Sequence, residues 1–197
     1  MTNAARQVIP FSFDLSSLAP RTVASLYSHL VTRPTGRALR LGIESQIGEM
    51  GGCCVSILDF TQVVVLDYSC ADEAVAKLLL RYGAEDRPAD VYFVARGLGE
   101  RHREPLEAVL QRQNLALVGE IESDGFELLG AVEPLERAAW RVLERARSAG
   151  ATDVATATGA TVNDAGCILD GLAIRRVVIR QSAGRFWALS ALVDLSA

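Results

Sequence analysis

Apolar and polar residues first alternate from Gln7 to Leu15, where Val8, Ile9, Phe11 and Phe13 recur with Ser12 and Asp14 between them. That is the period of a strand, and Pro10 makes it an edge or irregular one. From Pro20 to Thr32 the spacing lengthens: Val23, Leu26, Tyr27 and Leu30 fall at helical intervals, and Arg33-Pro34 ends the predicted helix. A second helix follows with Leu39, Ile43 and Ile47 on one face. After the break at Met50-Gly51-Gly52, the apolar runs Cys53 to Phe60 and Val63 to Asp67 are too short for helices and read as buried strands. Ser69 opens a helix carrying Val75, Leu78, Leu79 and Tyr82, with Gly83 at its end. Asp90 to Ala95 is a buried strand and Arg103 to Gln113 an amphipathic helix. Leu115 to Glu122 and Phe126 to Val132 pair across Ser123-Asp124-Gly125, whose Asp-Gly is a hairpin signal.

Beyond Val132 the pattern changes. Pro134 begins a helix with Leu135, Ala139, Val142, Leu143 and Ala146 as its buried stripe up to Gly150. Thr152 caps a short helix that Gly159 ends, and Thr161 with Asp164 three residues on forms a capping-box pattern for the next. Strands surround Ser182-Ala183-Gly184 from Val177 onward. The predicted architecture is α/β: a mixed sheet with packed helices over residues 1–132 and a second unit over 133–197, ordered helix, short helix, turn, helix, hairpin.

Half of the residues are apolar, enough for sizeable cores in a chain of 197 residues. The formal net charge of −4 is no global nucleic-acid signature, so any DNA contact has to come from a local patch. Cys53 and Cys54 are adjacent in an apolar run, while Cys70 and Cys167 stand apart without ligand spacing, so neither a zinc site nor a disulfide framework is expected. The start, MTNAARQVIP, has no signal-like apolar stretch, and no run of about 20 apolar residues occurs. The expectation is a cytoplasmic protein with no membrane partner.

In the first unit, Asp59, Val63, Asp67 and Ser69 stand where STAS domains, the fold of bacterial anti-sigma factor antagonists, carry their signature. The continuation Ser69-Cys70-Ala71-Asp72-Glu73 resembles more closely the STAS-like family of undefined function, with Ser-Phe-Ala-Asp-Glu at this place. The resemblance covers about Val8 to Asn114; Tyr68 replaces the usual first Ser and Cys70 the Gly. It implies a STAS-like mixed sheet and a regulatory face formed by Asp67, Tyr68, Ser69 and Asp72, with Ser69 a phosphoacceptor for a protein kinase or a contact for another signalling protein. Read from the residues alone, Ser69 at a strand-to-helix junction caps the helix, and Asp72 and Glu73 would repel a phosphate in the same turn.

The second unit resembles winged helix-turn-helix domains of bacterial transcription regulators from Leu135 to Leu189. The resemblance implies that Thr161 and Asn163 open a recognition helix meeting duplex DNA, that Arg180 and Arg185 flank the wing, and that Arg175 and Arg176 add charge at the helix end. A homodimer is the default for palindromic sites. Asp164 and Asp170 on the same helix disfavour phosphate, and winged helices also serve dimerisation or docking, so two readings stay open. One is a transcription regulator whose STAS-like part receives a signal; the other is a partner-switching adaptor that binds no DNA.

Enzyme chemistry is not expected, with no catalytic residue, metal site or cofactor assigned. Gly97-Leu98-Gly99 with Glu120 or Glu122 lacks the third glycine of a dinucleotide fingerprint, His102 standing in its place. Arg96, Arg101, His102 and Arg103 are a loop cluster of the kind usually solvated, and His29 is expected as a packing residue on a helix. Trp140 and Trp187 fit an apolar core.

Overall fold

A computed structural model describes residues 21–193 except Tyr27, Gly51, Gly52, Ser123, Ser182 and Ala183. In chain order its first part contains β1 (Arg21–Ser25), β2 (His29–Leu30), α1 (Arg33–Met50), β3 (Cys53–Asp59), β4 (Val65–Leu66) and α2 (Tyr68–Ala71). A π-helical segment (Asp72–Ala76) joins α2 to α3 (Lys77–Gly83), and β5 (Asp90–Leu98), α4 (Glu100–Arg112), β6 (Ala116–Ile121) and β7 (Gly125–Gly130) follow. The second part contains α5 (Pro134–Ala146), β8 (Ser148–Gly150), α6 (Ala151–Thr158), α7 (Val162–Ile174), β9 (Val178–Arg180), β10 (Arg185–Ala188) and α8 (Ser190–Val193).

The architecture is mixed α/β. A five-stranded sheet runs β1-β3-β5-β6-β7, parallel except for the antiparallel β6–β7 hairpin at one edge. Both of its faces are buried, which accounts for the near-continuous apolar runs of β3 and β5. Cys54, Leu58, Phe93 and Leu117 point to the side covered by α1, the α2–α3 helix and α4. The alternate residues Val55, Ile57, Tyr92, Val94 and Val118 form one cluster with Trp140, Leu143, Leu172 and Phe186 of the second part. There a three-stranded antiparallel sheet ordered β8-β10-β9 takes its first strand from between α5 and α6 and its other two from after α7.

Several expectations are corrected. The predicted helix from Pro20 to Thr32 is instead β1 and β2. Its apolar spacing is short enough to suit either form, and parallel pairing of Val23 with Ile57 on β3 satisfies the backbone. Arg33-Pro34 therefore starts a helix: Pro34 sits in the first turn of α1, where its missing N–H leaves no bond unmade. His29 is exposed on β2 rather than packed on a helix. Only Val65 and Leu66 of the second apolar run form a strand, which pairs with β2 outside the main sheet and leaves Val64 and Val65 exposed. α5 stops at Ala146 because Arg147 turns to φ 62°, and Ser148–Gly150 becomes a strand on β10. Thr152 does not cap α6; Asp153 instead accepts from the Gly150 N–H at 2.9 Å. The expected strand from Gln7 to Leu15 lies outside the described residues.

The helix predicted to carry Ile43 and Ile47 inward does so, and the Asp-Gly hairpin joins β6 to β7. Gly159 ends α6 with φ 76°, and the Thr161–Asp164 cap opens α7. Trp140 is buried. No helix among the described residues is long and apolar enough to cross a membrane.

Candidate functional site

The residues from Asp67 to Glu73 sit where β4 hands over to a helix. Asp67, and not Ser69, is the cap: its Oδ1 accepts from the Cys70 N–H at 2.6 Å and its Oδ2 from the Thr32 N–H at 2.9 Å. One carboxylate thus ties the start of the second helix to the residue before α1. Ser69 lies inside the first turn, half-buried, and its hydroxyl makes no hydrogen bond within the described residues. A residue already inside the helix cannot fold back onto the N–H groups that a cap satisfies. Tyr68 is exposed and donates to Glu104 Oε1 at 2.8 Å, a bond that raises the phenol above its ordinary pKa. Cys70 is fully buried, and burial followed by the Asp67 charge pushes its thiol up to about 11, so it is no nucleophile.

Asp72 does not share that surface. It turns inward with Glu73 on the π-helical segment, and both are buried. Asp72 accepts from Arg112 at 2.7 Å, from Arg33 at 3.2 Å and from the Gln113 amide at 3.2 Å. Burial pushes its carboxyl upward, but these hydrogen bonds outweigh it and hold the pKa below the ordinary value. Glu73 pairs with Lys77, with Arg33 at 3.7 Å and with Arg40 at 3.8 Å. The two acids are therefore neutralised and supply no repulsion to an anion at Ser69, contrary to the expectation drawn from their position. These partners stand about forty residues away for Asp72, so no local pattern in the sequence marks them.

Around Tyr68 and Ser69 lie exposed apolar side chains, of which the sequence pattern assigns Val64 and Val65 to a buried strand. Pairing of Leu30 with Leu66 sets Val31 opposite Asp67, and Val31, Val64, Val65 and Tyr68 are 36%, 51%, 41% and 47% exposed. These four exposed apolar side chains lie on or beside the β2–β4 pair.

The arginines expected at DNA are engaged within the chain. Arg175 binds Glu136 at 3.1 Å and the Ala131 carbonyl. Arg176 donates to the Val91 carbonyl at 2.7 Å and to Asp90 at 2.5 Å, with its guanidinium 4.1 Å from the Tyr92 ring centre. Arg176 clamps the end of α7 to β5, and Arg175 ties it to α5 and the turn after β7. Arg180 pairs with Asp170 and lies over Phe186, and Arg185 contacts Ser148 and, at 3.4 Å, Asp153. Thr161 Oγ1 accepts from the Asp164 N–H, and the exposed residues of α7 are Val162, Asn163, Asp164, Cys167 and Ile174. None of these carries a positive charge.

Comparison of the chain with protein-family models and with curated proteins finds no match. The geometry also bears on Gly97-Leu98-Gly99, where β5 ends and α4 begins rather than a loop. Gly97 takes φ 67°, and a Cβ there would stand 2.5 Å from Thr61 Oγ1, so this end of β5 carries glycine because the β3–β4 turn presses on it. His102 is fully buried beside it: Nδ1 accepts from the Gly99 N–H at 3.1 Å and Nε2–H donates to the Val63 carbonyl at 2.8 Å. Arg96 and Arg103 are spent on Glu120 and Glu127. The described residues hold no cluster of three or more metal-ligating side chains.

Proposed function

We propose that the chain is a bacterial signalling adaptor, in which a STAS-like unit docks a protein partner through the Tyr68–Ser69 face and a winged-helix unit braces the back of the sheet. The observation that carries this reading is the set of exposed apolar side chains Val31, Val64, Val65 and Tyr68 beside the half-buried Ser69 hydroxyl, which has no hydrogen-bond partner among the described residues. Phosphorylation of Ser69 adds nearly two negative charges beside them and so releases an apolar partner. Pull-down from lysate of the source cell is the test. Wild type and Ser69→Ala retain a partner that Ser69→Asp and the Val64→Asp/Val65→Asp double variant lose; equal capture by all four rejects the reading.

The order of elements and the placing of Arg180 and Arg185 beside the wing favour a second reading, a transcription regulator that binds duplex DNA. Against it stand the intramolecular partners of all four arginines and the uncharged or acidic outer face of α7. Titration of duplex DNA across a salt series separates the two, since neutralised phosphates make affinity fall with salt. Salt-dependent binding that Arg180→Ala and Arg185→Ala weaken restores the regulator, and its absence at low salt removes it.

A further inference from the structure

Where α7 ends against the sheet, a cavity of about 350 Å³ opens between α3, the start of β6 and the Ile174–Val177 segment. Its floor is apolar and buried, with Tyr82, Phe93 and Leu117 each less than a tenth exposed. Its mouth is apolar and open: Leu80 is 45% and Ile174 75% exposed. A second, polar cavity of about 510 Å³ lies alongside, bounded by Gln111, Glu133, Glu136 and the backbone of residues 130–132. Asn114 and Arg175 line both, so the two cavities meet at that pair.

The chemistry at the seam is specific. Arg175 is already committed to Glu136 and the Ala131 carbonyl, which cancels its charge locally. Glu133 remains as an exposed carboxylate. Asn114 is exposed at the rim, held at φ 54° in the turn after α4, and its side-chain amide, which makes no hydrogen bond within the described residues, is open to an occupant. Volumes of this size suit small molecules, whose sites are mostly apolar with a few placed polar groups.

We propose that this paired cavity is a binding site for a small amphipathic molecule, with an apolar body on Phe93 and Leu117 and an uncharged or cationic polar head at Asn114. An anionic head is disfavoured by the exposed Glu133 carboxylate. The site is separate from the Tyr68 face and does not depend on the docking reading. Because its walls come from both the sheet side and α7, an occupant bridges the two parts of the chain.

The test uses the full chain and the neutral fluorophore N-phenyl-1-naphthylamine, displaced in turn by octanol, octylamine and octanoate. The fluorophore binds at one site per chain. Octanol and octylamine displace it, and octanoate does so at least about tenfold more weakly. Gly83→Trp fills the cavity, since Gly83 lies on its wall with open space at the Cβ position, and abolishes fluorophore binding. Asn114→Gly keeps the left-handed backbone, leaves fluorophore binding unchanged and weakens octanol. Thermal melts establish that both variants are folded. Fluorophore binding that is absent, or equal in wild type and folded Gly83→Trp, overturns the site; octanoate as strong as octanol overturns the head-group assignment.

Discussion

Asp67 and Ser69 separate cleanly on substitution, because one caps the helix and the other only joins it. Asp67→Ala removes an acceptor from two N–H groups and costs about 1–2 kcal/mol; Asp67→Asn keeps one acceptor oxygen but sets its NH2 against the other N–H, and so falls between Asp67→Ala and wild type. Ser69→Ala stays within about 0.5 kcal/mol of wild type. Urea melts of the three variants check this, and a Ser69→Ala loss equal to that of Asp67→Ala would show that the cap is misassigned. His102 gives a pH dependence. Burial is the main cause that lowers its pKa, against the opposing hydrogen bond to Val63. The unfolded chain therefore binds more protons, so the contribution of His102 is fully present above about pH 6.5 and is lost as pH falls through the lower folded value. The urea midpoint should drop between pH 7.5 and pH 5 in wild type and drop less in His102→Gln; equal pH slopes would dismiss the histidine as the cause.

Helix α1 meets the α2 turn at unusually short range. A Cβ on Gly36 would stand 2.9 Å from the Cys70 carbonyl oxygen, a backbone atom that cannot rotate away, while Gly42 on the same helix has open space. Gly36→Ala should destabilise by about 1–2 kcal/mol despite the better helix propensity of Ala. Gly42→Ala should stabilise by about 0.5–1 kcal/mol. Melts that rank the two alike would refute the close approach. At this scale the sequence is readable where pattern is local. β3, β5, the β6–β7 hairpin, the end of α6 and the cap of α7 follow from apolar runs, Asp-Gly, Gly159 and Thr-x-x-Asp. β1 was hidden because five residues fit either period, and β8 because nothing near Ser148 announces its partner Trp187. The candidate face was legible at Asp67, Tyr68 and Ser69, but Val64 and Val65 looked like core since exposure depends on which sheet a strand joins. The Arg33, Arg112 and Gln113 clasp on Asp72 rests on contacts that only the folded chain creates.

For the molecule as a whole, Val55, Ile57, Tyr92, Val94 and Val118 share one core with Trp140, Leu143 and Leu172. Unfolding should then be a single transition. Tryptophan fluorescence, which reports Trp140 and Trp187 of the second part alone, should coincide with far-ultraviolet circular dichroism, which reports the entire chain. Two resolved transitions would show that the parts fold independently. Arg176→Ala, which removes two hydrogen bonds and the contact over Tyr92, should lower stability by about 2 kcal/mol without splitting the transition. A sheet buried on both sides also bears on descent. A chain cut after residue 132 bares a row of valine, isoleucine and tyrosine side chains to water, so recombination that parts the halves yields sticky products. The two halves are therefore expected to be inherited together, as one unit of selection.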